Sequence, residues 1–165
     1  MTGAWFSTPL SHAADVYQAP EVFLSEVFEG TIPEPDVLWI TEPRGKAARR
    51  ILGHDFAVLR QRYWRSGDQT AWILEEIGKE HPITTGIVVK EKAIEKIRVL
   101  IYRESRGWEV RYPFFTDHFR GAMLGNDLEL DRHIDGISGA TLSVRALTRL
   151  ARLALYLHGE AVSAP

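Results

Sequence analysis

Apolar residues recur along the chain with two different spacings, which together predict an α+β fold. In residues 20–42 the spacing predicts a short helix, a turn and a strand or extended segment; in residues 43–53 it predicts a helix that ends at Gly53. From Phe56 onward the pattern is typical of strands. The strands are expected at residues 56–64, 69–77, 83–89 and 94–102, with a further strand at 108–112.

Short turns connect the first four of these strands in pairs, at residues 65–68 and 90–93. Consecutive strands on such turns pair antiparallel, so the sequence predicts an antiparallel meander rather than βαβ units. In the fourth strand, simple alternation would place Ile94 and Leu100 on one side and Ile97 and Val99 on the other.

Two further helices are expected to pack on this sheet. The shorter one is predicted at residues 113–123, and the longer one at residues 142–158, where Gly159 would end it. The longer helix has an apolar face, which is typical of a helix that covers a core. That face consists of Leu147, Leu150, Ala151, Ala154 and Leu157.

Composition narrows the classes of protein to be considered. A chain of 165 residues has room for one domain with an extension, and its 45% hydrophobic and 25% charged residues are ordinary for a globular fold. The net charge of −2 argues against a nucleic-acid-binding protein, although it leaves room for a local basic patch. The absence of cysteine excludes disulfides, a thiolate nucleophile and iron–sulfur clusters. No apolar run approaches the roughly 20 residues of a membrane helix.

The amino-terminal residues allow two interpretations. Small residues before Asp15 are similar to the end of a secretory signal and its cleavage site, but residues 1–14 are also consistent with a flexible arm. We therefore divide the chain into this segment, a helix and hairpin extension at residues 15–75, and a main domain at residues 76–160.

Two segments carry candidate chemistry. The run from Asp135 to Ser143 places small residues and hydroxyls at the start of the long helix, where free N–H groups and the helix dipole favour an anion. The alternative is an ordinary helix cap supplied by Ser138 or Thr141. The second segment, residues 104–107, is either a loop that contacts a planar ligand or a charged turn.

Both segments resemble the FMN-binding domain family, which occurs in the flavin subunits of sodium-pumping quinone reductases and Rnf-type electron-transfer complexes. The family motif is Asp, two residues, Ser or Thr, then Gly-Ala-Thr, and residues 135–141 fit it. Residues 85–87, 104–107 and 115–121 are similar to further family segments, so the resemblance covers about 78–158. The loop departs from the family's frequent Glu-Thr-Pro-Gly-Leu-Gly after its first two residues.

The resemblance implies that FMN is the cofactor and that a flavin transferase joins its phosphate to Thr141. The cofactor-binding residues implied are Thr141, Ser138, Gly139, Ala140, Leu142, Ser143, Asp135, Glu104, Ser105, Arg106 and Gly107. Arg106 would favour the anionic reduced flavin and raise its potential. Trp108, Phe114 or Phe115 would stack on the ring, although core packing is the expectation for Phe115 and Phe119.

The function expected from this resemblance is electron transfer rather than self-contained catalysis. The protein would be exported to the periplasm and relay electrons between membrane or periplasmic redox partners, with no catalytic residue of its own. A noncovalent FMN-binding, sensory or docking module is the alternative.

A hydrolase nucleophile elbow at residues 136–140 lacks a preceding apolar strand and later triad partners. The Asp and His residues near positions 117 and 131–133 lack the spacing of metal ligands.

Overall fold

The computed structural model describes residues 14–164, and its centre is a six-stranded antiparallel sheet. The order of strands across the sheet is β1-β6-β5-β4-β3-β2. Because β3 to β6 follow one another as neighbours, the predicted meander and the α+β class are confirmed. The strands are β1 (Asp15–Val16), β2 (Asp36–Trp39), β3 (Arg60–Ser66), β4 (Gln69–Ile77), β5 (Pro82–Lys90) and β6 (Ala93–Tyr102).

Helices cover both faces of the sheet. They are α1 (Pro20–Val27), α2 (Glu42–Leu52), α3 (Pro113–Thr116) and α4 (Thr141–Ser163), with 3-10 helices at Trp108–Arg111 and Asp117–Phe119. The larger core lies where α2 and α4 pack against one face, and the predicted apolar face of α4 is buried there. A smaller core lies under α1 on the other face. Two layers of helix on one twisted sheet bury apolar residues on both sides.

The strand β6 does not alternate as simply as its sequence suggests. Register shifts at Thr84/Thr85 and Val88/Val89 of β5 each place an additional β6 residue against its neighbour. As a result, Ile94, Ile97 and Val99 all face the larger core, whereas Leu100 faces the smaller one. The prediction that put Ile94 on the opposite side from Ile97 is therefore wrong, because a bulge changes the face of every residue beyond it.

Four other predicted elements differ from the structure. The strand expected at residues 108–112 is a 3-10 helix, because the left-handed conformation of Gly107 turns the chain away from the sheet. The strand expected at 56–64 begins only at Arg60, and the helix expected at 113–123 is α3 followed by a 3-10 turn. The helix predicted to end at Gly159 instead continues to Ser163.

The continuation of α4 past Gly159 has a physical reason in the residue before it. His158 is buried, its Nδ1 lies 2.7 Å from the Thr70 hydroxyl, and its Nε2 bonds the Glu91 carbonyl. The indole N–H of Trp72 donates to the same hydroxyl at 2.8 Å. This network and the buried Ala161 hold the last turns of α4 on the sheet, which outweighs the weak helix propensity of one glycine.

The predicted signal remnant lies outside the described residues, except for Ala14. Within residues 14–164, no helix is both long and apolar enough to cross a bilayer. The same part of the chain contains no group of three or more His, Asp or Glu side chains placed to hold a metal ion.

The close contact between α1 and the sheet yields a prediction about Gly86. A β-carbon at this position would lie 2.5 Å from the nearest atom of the buried Phe23 ring. Gly86→Ala should therefore lower the free energy of unfolding by about 1–3 kcal/mol, the usual effect of overpacking. Urea denaturation measures this value.

Gly159→Ala is the matched control, because its β-carbon would meet open space in the last turns of α4. It should stabilise the protein by up to about 1 kcal/mol through helix propensity. A Gly86→Ala protein as stable as the wild type would contradict the packing of Phe23 on this strand.

Candidate functional site

The packing of α4 on the sheet brings its amino end beside the loop that follows β6. The contact is made by Tyr102, the last residue of β6, and Ser143, in the first turn of α4. Their oxygens lie 2.8 Å apart, and the Tyr102 hydroxyl also bonds the Arg106 carbonyl. Because the one phenolic hydrogen is donated to that carbonyl, Ser143 donates to the Tyr102 oxygen. The loop and the helix are thereby joined through one buried side chain.

Gly107 permits this close approach. Its φ is +85°, which favours glycine, and a β-carbon there would lie 2.7 Å from the Ser143 hydroxyl and 2.8 Å from that of Tyr102. A larger residue would push the loop away from α4. Gly107 therefore shapes the site through its backbone.

The amino end of α4 is not closed by a side chain. The residue before the helix is Ala140, which has no side-chain acceptor, and no side-chain capping bond is formed. The alternative in which Ser138 or Thr141 caps the helix is therefore not observed. Thr141 and Leu142 are exposed in the first turn, and Gly139 precedes them with a φ of +80°. The first N–H groups and the positive end of a 23-residue helix thus face an open space.

Glu104 binds the protein itself. Its Oε1 accepts hydrogen bonds from the backbone N–H groups of Lys79, Glu80 and His81, at 2.7, 2.6 and 2.9 Å. Partial burial acts to raise the pKa of Glu104, but the three donors outweigh it, so the pKa lies below its ordinary value. The carboxylate therefore stays ionised and fixes the turn between β4 and β5 against the end of β6.

These elements enclose a cleft of about 360 Å³. It is lined by Lys79, Glu104, Ser105, Arg106, Gly139, Ala140, Thr141, Leu142 and Ser143. One wall is the start of α4, a second is the 104–106 loop, and Lys79 reaches in from the β4–β5 turn. Two exposed cations, Lys79 and Arg106, therefore share the cleft with the Thr141 hydroxyl.

Most of the residues predicted to bind the cofactor line this cleft, but Gly107, Asp135 and Ser138 do not. Asp135 and Ser138 are exposed and do not line the cleft; Asp135 lies 3.8 Å from His133 instead. Lys79 was missed, because nothing in the local sequence indicates that its turn meets α4.

The aromatic residues divide by exposure. Phe115 and Phe119 are buried and pack edge to face, with ring centroids 5.5 Å apart. This agrees with their expected core role and removes Phe115 as a stacking partner for a ligand. Trp108, which directly follows the loop, and Phe114, which stacks on Tyr112, are 43% and 61% exposed, so both are open to solvent.

The hydrolase alternative gains no support from the backbone. A nucleophile elbow requires a strand that leads directly into the serine. Residues 131–140 contain only bends, a turn and irregular chain, and Ser138 is not at the end of a strand.

Comparison with known proteins indicates the cofactor of the chain. Residues 78–156 match the family model described as FMN-binding domain. The matched stretch contains the whole cleft, from Lys79 to Ser143, and it indicates FMN as the cofactor. No curated protein and no solved structure matches the chain.

The bonds to Glu104 predict a pH-dependent stability. Glu104→Gln replaces the ionised acceptor by a neutral one, so the free energy of unfolding should fall by about 1 kcal/mol at neutral pH. The pKa of Glu104 is lower in the folded state, so its contribution is present above the unfolded-state pKa and is lost as pH falls through the folded-state pKa. The difference between the two proteins, measured by urea denaturation, should shrink in acid.

Glu80→Gln is the control on the same turn, because the Glu80 backbone N–H still donates to Glu104 after the change. It should leave the stability nearly unchanged at either pH. A destabilisation by Glu104→Gln that is equal at neutral and acid pH would argue against a charged acceptor.

Proposed function

The chain belongs to the FMN-binding domain family over residues 78–156, and on that premise we propose that it is an electron carrier with FMN esterified to Thr141. The observation that carries the proposal is the exposed Thr141 hydroxyl at the uncapped amino end of α4, inside a cleft that also holds two cations.

The residues of the cleft fit the phosphate end of FMN. The open N–H groups and helix dipole favour a negative charge by roughly 0.3–1 kcal/mol at an exposed end. Gly139 leaves the approach to Thr141 free, since a β-carbon there would meet no atom within 4 Å. Lys79 and Arg106 supply positive charge. These features suit a phosphate diester, which keeps one negative charge.

Attachment requires an activated donor, for which we propose flavin adenine dinucleotide presented by a flavin transferase. The Thr141 oxygen attacks the phosphorus on the flavin side, so the new Oγ–P bond replaces the pyrophosphate bond. AMP leaves, and the hydroxyl proton passes to the released phosphate. The chain gains FMN less one water.

The bound flavin supplies the redox chemistry, and the residues of this chain control its position and surroundings. We propose that Trp108 or Phe114 contacts the ring, because Trp108 directly follows Gly107 and both side chains are exposed. An exposed site lets a redox partner approach the flavin closely. We further propose that the protein acts outside the cytoplasm, between membrane or periplasmic partners, where covalent attachment prevents loss of the cofactor.

Covalent attachment can be tested by intact-protein mass spectrometry. After expression with a flavin transferase, the wild type should gain FMN less one water, and the flavin should remain with the denatured chain. Thr141→Ala should lose this mass gain completely, because no oxygen remains to form the ester.

Thr148→Ala is the matched control, since Thr148 lies two turns further along α4 and bonds the Val144 carbonyl. It should be flavinylated as fully as the wild type. A Thr141→Ala protein that still gains the mass, or a wild type that never does, would contradict the ester at Thr141.

The charge of Arg106 predicts an effect on the redox potential. Arg106→Gln removes a cation from the cleft and so destabilises the anionic reduced flavin. The midpoint potential of the flavinylated protein should fall by on the order of 10 mV, the size expected for one exposed charge. Spectroelectrochemical titration measures it. Arg50→Gln, exposed on α2, serves as the control, and an unchanged potential in Arg106→Gln would rule out this role.

A further inference from the structure

We infer that Lys79 selects a phosphorylated flavin over an unphosphorylated one, and that Glu104 acts as the positioning residue that holds Lys79 in place. The inference rests on the proposed function only in taking the flavin phosphate to lie at the amino end of α4. It assigns to Glu104 a role through Lys79 rather than a contact with the cofactor.

Lys79 reaches the cleft from a separate part of the chain. It lies in the turn between β4, which ends at Ile77, and β5, which begins at Pro82. The other lining residues come from the loop after β6 and from the start of α4. Lys79 therefore lines a third side of the cleft, and it does so from a turn rather than from a strand or a helix.

The turn that carries Lys79 is fastened at both ends by the segment after β6. Glu104 accepts the backbone N–H groups of Lys79, Glu80 and His81 through one carboxylate oxygen. Arg103 donates to the Pro82 carbonyl at 2.7 Å on the far side of the turn. Three donors converging on one oxygen leave the backbone of the turn little freedom, so the Cα of Lys79 stays at the mouth of the cleft.

The charged residues that line the cleft favour an anion, because two cations, Lys79 and Arg106, share it with one carboxylate. That carboxylate, Glu104, stays ionised, and its Oε1 is hydrogen-bonded to three backbone N–H groups. Lys79 and Arg106 have no carboxylate within ion-pair distance in the part of the chain that the structure describes. A Lys79 ammonium without a carboxylate partner, beside an open helix end, is suited to bind phosphate. A flavin without phosphate cannot make this contact, so Lys79 should not increase its affinity.

The experiment compares two ligands that differ only in the phosphate. Unflavinylated protein is titrated with FMN and with riboflavin, and ligand-observed NMR gives the ratio of the two affinities. The wild type should prefer FMN. Lys79→Gln should reduce that preference by about two- to fivefold, the contribution of one exposed ion pair, and leave riboflavin binding unchanged. The preference should also weaken as salt is added.

Two further variants serve as controls for the charge at position 79 and for its location. Lys79→Arg keeps the charge and should retain most of the preference for FMN. Lys92→Gln removes a lysine from the β5–β6 turn at the other end of α4 and should retain all of it.

A double-mutant cycle tests whether Glu104 acts through Lys79. Glu104→Gln alone should reduce the preference for FMN, because the loosened turn no longer holds the cation at the cleft. In the Lys79→Gln protein the same change should have almost no further effect on the preference, although it still lowers stability. Additive effects would overturn the positioning role, since interacting residues are expected to be non-additive.

The outcomes distinguish this inference from the proposed attachment. The preference for FMN is measured on unflavinylated protein, whereas the ester is measured by the mass gain after expression with a flavin transferase. Equal affinities of the wild type for FMN and riboflavin, no binding of FMN, or an unchanged preference in Lys79→Gln would each overturn the role of Lys79. None of these results depends on whether Thr141 forms an ester.

Discussion

The hydroxyl of Tyr102 makes the contact on which the site depends. It joins the Arg106 carbonyl to Ser143, and so fixes a loop from the sheet edge against the first turn of α4. Burial is the main cause that raises the pKa of Tyr102, so the phenol stays protonated and able to donate at ordinary pH. Without this contact, the loop and the helix end would be separate surface features. With it, they form two walls of one cleft.

The charged residues of the cleft have two different roles, because some bind the protein itself and others are open to a ligand. Its one carboxylate, Glu104, is stabilised in the ionised form by backbone donors, and the two cations and the helix end are available to an anion. This division explains why a flavin phosphate can be accommodated beside an ionised glutamate. It also separates two roles that the sequence had joined, since Glu104 and Ser143 bind protein groups, whereas Thr141 is open to solvent.

The sequence predicted those features whose causes are local. A run rich in strand-forming apolar residues identified β4 with the bounds that the structure shows, and the left-handed Gly53 ends α2 as expected. The faces of β6 and the 3-10 helix after Gly107 were mispredicted, because bulges and close contacts with α4 decide them. Lys79 could not be found from its neighbours, since its place beside Thr141 results from the pairing of three strands and from Glu104. The division at residue 75 stays a prediction, although strands on both sides of it share one sheet.

The state of the phosphorus in the loaded protein tests the central claim most directly. Protein expressed with a flavin transferase is denatured, freed of unbound flavin, and examined by phosphorus-31 NMR as a function of pH. A diester at Thr141 has no second ionisation, so the account predicts a retained signal whose chemical shift is constant across the range around pH 6. A signal that titrates with the pKa of about 6 of a phosphate monoester, or no phosphorus retained at all, would contradict it.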